Sequence, residues 1–127
     1  MIDQAIKAFK IGIPKERQDG ELRAAATADT IKRYKTLGLE PVVESGAGAG
    51  AAIRDEALVA AGATLGDEAA VWDSDIVLKV QRPTEAEMAR LKPGQVLIGA
   101  LDPYNNKDQV QAYAGAGVVA FSLELLP

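Results

Sequence analysis

Lys10-Ile11-Gly12-Ile13-Pro14-Lys15-Glu16-Arg17, followed after three polar or glycine positions by Glu21-Leu22-Arg23-Ala24-Ala25-Ala26-Thr27, decides how the chain folds. A short apolar run bounded by charge reads as a buried strand. The polar stretch behind it is then the loop at the strand's carboxyl end. Thr27 closes that loop as the N-cap of a helix, its hydroxyl accepting a backbone N–H that the helix itself leaves unpaired. A strand running into a capped helix is the repeating unit of a parallel sheet.

The same alternation continues along the chain. Strands are expected at Phe9 to Pro14, Glu40 to Glu44, Ile76 to Val80, Val96 to Ala100 and Val118 to Leu123, with a brief one at Ala63 to Leu65. The first helix should stop at Gly38, which can take the left-handed conformation, and should place Ile31, Tyr34 and Leu37 on one face. Further helices are expected from Arg54 to Ala61 ahead of Gly62, from Asp67 to Trp72, from Glu85 to Leu91 and from Lys107 to Ala114 ahead of Gly115. The expected fold is α/β: an open, mainly parallel, doubly wound sheet in a three-layer sandwich of Rossmann or flavodoxin type, with residues 1–127 as a single domain.

Composition narrows the chemistry. At 127 residues the chain is long enough to hold a core without staples. With no Cys there is no disulfide or thiolate nucleophile, and with no His the usual general base and commonest metal ligand are missing. A net charge of -4, with Lys and Arg scattered, gives no basic stripe for a nucleic acid. The aromatic residues Trp72, Tyr34, Tyr104, Tyr113 and Phe121 are too dispersed for a base-stacking platform and read as core or interface residues. Met1 to Phe9 is too short and charged for a secretory signal, and no apolar run reaches the ~20 residues that span a bilayer. A cytosolic chain is expected.

Gly46-Ala47-Gly48-Ala49-Gly50-Ala51 has the look of a dinucleotide fingerprint, but it follows the second strand instead of the first. The acidic residue expected at the end of the next strand is also missing, because Asp67 and Glu68 fall at a helix start. It is read as a structural loop. Arg23 has two open readings, a solvated surface residue or a fork that grips a carboxylate at the strand's carboxyl edge. Lys15 and Glu16 are read as an ion pair or as solvated charges at that rim. Lys79, set among Ile76, Val77, Leu78 and Val80, is either a cleft residue or a snorkelling edge lysine. Tyr104, in a loop beside Asp102 and Asn105, is a further cleft candidate.

The stretches around Lys10 to Arg17, Val43-Glu44-Ser45-Gly46-Ala47-Gly48, Asp75 to Pro83 (DIVLKVQRP) and Leu97 to Asn106 (LIGALDPYNN) together resemble the amino-terminal domain shared by alanine dehydrogenases and the NAD(H)-binding alpha component of proton-translocating NAD(P) transhydrogenases. The resemblance spans nearly the whole chain. It implies that the residue matching Arg23 faces the substrate site, and that the glycine loop is not the NAD site. Alanine dehydrogenases carry a Lys where this chain has Gln81 and a catalytic His where it has Asp102. A glutamine supplies no cation, and an acceptor-only carboxylate does not replace an imidazole. The Lys-Val-Gln-Arg-Pro and Asp-Pro-Tyr-Asn-Asn forms therefore resemble the transhydrogenase branch.

In that family NAD(H) is held mainly by a second, Rossmann-type domain, expected after Pro127 and absent from this chain. Leu125-Leu126-Pro127 reads as the start of a connection. The resemblance implies an N-terminal half that closes a cleft over the nicotinamide, catalytically silent alone and without a tightly bound cofactor. Its partners would be the second NAD-binding domain, the other transhydrogenase subunits and a second copy in a homodimer, with the holoenzyme bringing it to the membrane periphery. Two alternatives stay open: a stand-alone binding or regulatory module, and a fragment of an alanine dehydrogenase or saccharopine dehydrogenase-like oxidoreductase.

Overall fold

Six parallel strands form one sheet in the order β3-β2-β1-β4-β5-β6. In chain order the computed structural model has β1 (Lys10–Ile13), α1 (Ala28–Thr36), β2 (Glu40–Glu44), α2 (Asp55–Ala61), β3 (Thr64–Gly66), α3 (Glu68–Trp72), β4 (Ile76–Gln81), α4 (Glu85–Met88), β5 (Val96–Ala100), α5 (Lys107–Gly115) and β6 (Val119–Ser122). It describes residues 8–126, so the expectation for Met1 to Phe9 falls almost wholly, and that for Pro127 wholly, outside the described residues. The doubly wound α/β reading holds, and the brief strand after α2 is real.

Short-range chemistry sets the element ends. Thr27 and Thr30 cap each other's backbone N–H groups at the start of α1, and Gly38 turns the chain out of it at φ 86°. Leu37 departs from its expected face: it is the C-cap of α1 and 74% exposed, while Ile31 is fully buried and Tyr34 packs against the core. The fourth helix is shorter than expected. Beyond Met88 the N–H groups of Arg90 and Leu91 bond three residues back, the tighter turn with which a helix runs out, and Pro93 lies just ahead. β1 stops before Pro14, which has no N–H to give.

Right-handed crossovers put α1 and α2 on one face and α3, α4 and α5 on the other. Each face has its own core. Ile13, Ile31, Val43 and Leu58 pack together under α1 and α2, and Trp72, Val77, Leu97 and Tyr113 pack under the helices opposite. Gly12 lets α3 approach closely, since a Cβ there would lie 2.4 Å from the Val71 carbonyl. Between β4 and β5 the register slips by one residue around Lys79, a bulge that turns its side chain toward α4, and Gly99 fits against the Lys79 carbonyl. Among the described residues no helix is long and apolar enough to cross a membrane.

Candidate functional site

β1 and β4 are neighbours in the sheet, but β1 leads to an element on its left and β4 to one on its right. Open α/β sheets hold ligands outside the strands' carboxyl ends at this switch point. Here the position is filled by the chain itself. The Glu16 carboxylate accepts the backbone N–H groups of Val80 at 2.9 Å and Gln81 at 3.1 Å, taking the place of a neighbouring strand beyond the β1–β4 pair of Gly12 with Val77. Its side chain is 2% exposed.

Under this plug lies a buried ionic cluster. The Lys79 ammonium sits 3.1 Å from Glu16 and 3.4 Å from Glu87, with all three side chains at most 2% exposed. Glu87 also receives the Thr84 N–H as part of the α4 capping box, which fixes its direction. Arg17 joins from the surface side with two hydrogen bonds to Glu44, at 2.9 and 2.5 Å, and a bridge to Glu68 at 2.9 Å; Glu68 in turn meets Arg90 at 2.8 Å. Burial pushes the Glu44 carboxyl up, but the Arg17 guanidinium and the Lys15 N–H outweigh it and hold the group below its ordinary range. Glu16 therefore pairs with Lys79, not with Lys15, which is exposed. Lys79 neither lines an open cleft nor snorkels.

Arg23 lies at the outer edge of the same loop. It is held by Glu21 at 2.8 and 2.9 Å, and the Gln81 side-chain amide donates to the same carboxylate at 2.9 Å. The Arg23 hydrogen bonds, with that from Gln81, draw the Glu21 carboxyl down to about 2. A folded-state value below the ordinary 4.5 means that this contribution is present above 4.5 and is lost as pH falls toward about 2. A carbon-detected NMR titration of Glu21 should give a midpoint near 2, and Arg23→Ala should return it toward the ordinary value. A midpoint near 4.5 in the unaltered protein would mean that Arg23 is free in solution.

Asp102 and Tyr104 form a separate group after β5. Asp102 takes φ 47°, a left-handed position that aspartate tolerates, and its carboxylate accepts from the Asn105 amide while its N–H is bound by Glu124. Tyr104 is 75% exposed. Among the described residues no hydrogen bond links this group to Arg23, Glu21 and Gln81. The structure thus joins Arg23 with Gln81, sinks Lys79 beneath them and sets Asp102 and Tyr104 apart. Sequence reading alone misses Glu21, Arg17 and Glu87; the Thr84-to-Glu87 spacing of a capping box is the available signal for the last.

The glycine loop has no free cradle of donors. Gly46 N–H donates to Asp55, and the N–H groups of Ala47, Ala49, Ala51, Ala52 and Ile53 bond within residues 44–53. Gly48 and Gly50 are glycine because a Cβ would meet the Ile53 carbonyl at 2.7 Å and the Leu22 carbonyl at 2.8 Å. The residues do not fit a dinucleotide at either place. The loop's donors are spent, and the switch point presents a carboxylate where a pyrophosphate would need donors.

Residues 12–127 match the family described as "Alanine dehydrogenase/PNT, N-terminal domain". The chain belongs to this family. It is 44% identical over 126 residues to an NAD(P) transhydrogenase alpha subunit of Rhodospirillum rubrum, covering 94% of this chain and 33% of that one. It is 36% identical over 118 residues to alanine dehydrogenase of Mycobacterium tuberculosis, covering 91% of this chain and 32% of that one. The solved transhydrogenase from Sinorhizobium meliloti superposes with a TM-score of 0.90 at 40% identity, over 93% of this chain and 36% of that one. A solved L-alanine dehydrogenase superposes at 0.86 with 26% identity, over 89% and 32%. As a member of the alanine dehydrogenase/PNT N-terminal domain family, the chain thus spans about a third of the length of these relatives.

Proposed function

We propose that this chain is the N-terminal domain of the NAD(H)-binding component of a proton-translocating NAD(P)+ transhydrogenase, and that it forms the half of the clamp that closes over a nicotinamide held by a second domain. The observation that carries this reading is the filled switch point. A doubly wound sheet whose own ligand crevice is occupied by Glu16 leaves the nucleotide to another domain and offers its carboxyl edge as a wall. Hydride passing directly between two nicotinamides needs no side-chain nucleophile, which suits a chain with no His or Cys. Positioning and exclusion of water are what such a wall supplies.

Arg23 with Gln81 provides the polar rim of that wall, and Arg23 exchanges Glu21 for a partner across the cleft. The alanine dehydrogenase reading has less support, because Gln81 has no cation and its amide is engaged by Glu21. The domain works at the cytoplasmic side of the membrane, with the other transhydrogenase subunits and in a homodimer. By itself it is not a catalyst.

Calorimetric titration of the chain with NADH checks this directly. We expect no saturable heat up to millimolar nucleotide. Micromolar saturable binding would place a nucleotide site on this domain and overturn the clamp assignment.

A further inference from the structure

Along β4 and β5 the sequence is continuously apolar, as in strands covered on both sides. Burial nevertheless alternates. Val77 and Leu97 are fully buried, while Ile76, Leu78, Val96 and Ile98 are only half-buried. Register aligns the latter in two rows across three strands, Ile76 with Val96 and Val119, and Leu78 with Ile98 and Phe121. Val119 is 50% and Phe121 49% exposed.

The cause is topological. Both leftward crossovers, α1 and α2, lie over β1, β2 and β3, and every rightward crossover lies on the opposite face. No described element reaches this quarter of the sheet.

We infer that this open face of β4, β5 and β6 is the seat of an amphipathic helix contributed by the two thirds of the polypeptide that the relatives carry outside the matched region. Three strands about 4.8 Å apart present a strip about 10 Å wide, the diameter of one helix. The relatives supply the length, since the match covers 33% of the Rhodospirillum rubrum subunit. A second copy fits less well. Two such faces stacked together would engage about six residues a side, against the roughly 20–30 of a stable protein interface. The inference rests on family membership and on the open face, and is independent of any role for the Arg23 edge.

Peptides of about 25 residues tiling the rest of the Rhodospirillum rubrum subunit test it, with binding to this chain followed by fluorescence anisotropy up to millimolar concentration. The expected result is binding by a peptide with helical apolar periodicity, with amide shifts in β5 and β6. Phe121→Asp, and separately Val119→Lys, should weaken it at least tenfold. Both residues are already half-exposed on an edge strand, and circular dichroism checks that each variant keeps its fold. Leu37→Asp and Arg23→Ala should leave binding unchanged.

Absence of binding by every peptide overturns the inference. So does binding that ignores Phe121→Asp and Val119→Lys, or light scattering that shows a dimer which Phe121→Asp returns to monomer. Because Arg23→Ala probes the cleft alone, loss of binding in that variant would count against the sheet face and leave the NADH result to judge the clamp.

Discussion

Lys79→Met should cost about 3–5 kcal/mol, the usual penalty for removing one partner of a buried ion pair. Glu16 and Glu87 would then share a site from which their common cation has gone, and neither side chain is more than 2% exposed. Arg17 does not substitute for it. Its nearest approach to Glu87 is 3.9 Å, and its guanidinium is already engaged by Glu44 and Glu68. Against a total of about 5–15 kcal/mol for a domain of this kind, the loss brings the fold close to its threshold. Urea denaturation followed by circular dichroism reads it as a lower midpoint. Adding Glu87→Gln should recover some of the loss, because the amide oxygen can still accept the Thr84 N–H while the charge is gone. A cost below about 1 kcal/mol for Lys79→Met would show that water reaches the cluster and screens it.

The second large effect is steric. Gly12→Ala places a Cβ 2.4 Å from the Val71 carbonyl oxygen and 2.7 Å from the Ser74 hydroxyl. No rotamer change relieves the first contact, because its partner is backbone. α3 must lift from β1, and overpacking of this kind costs about 1–3 kcal/mol. Gly115→Ala is the matched control. It meets nothing within 4 Å, has no positive φ and closes α5, so it should raise stability by about 0.4–1 kcal/mol through the unfolded chain. Equal midpoints for the two variants would mean that α3 is not seated on β1 in solution.

How far the sequence is legible follows from the range of the interactions. The strands are readable because Ile76 to Val80 and Val96 to Ala100 are short apolar runs between turn residues, and helix ends because Thr27 and Gly38 act within a few residues. Periodicity puts Leu37 on the apolar face of α1, yet the helix ends at Thr36 and periodicity no longer applies beyond it. Lys79 stands out in the sequence as a charge among apolar residues, but its environment is not legible there. Glu16 precedes it by a long stretch of chain and reaches it only because β1 and β4 become neighbours. The pairing of Glu21 with Arg23 is within reach of local reading, whereas the share of that carboxylate taken by Gln81, 60 positions on, is not.

The plug made by Glu16 also has a mechanical meaning. In a doubly wound sheet the two halves diverge at the switch point, and that divergence is where such a sheet could flex. Here one carboxylate grips two successive amides of β4 while its loop remains tethered to β1, with Lys79 pinning it from below. The seam is riveted. The left and right halves of the sheet must travel as one body, so any opening and closing in which this protein takes part occurs at its boundary with a neighbour and not inside its own frame.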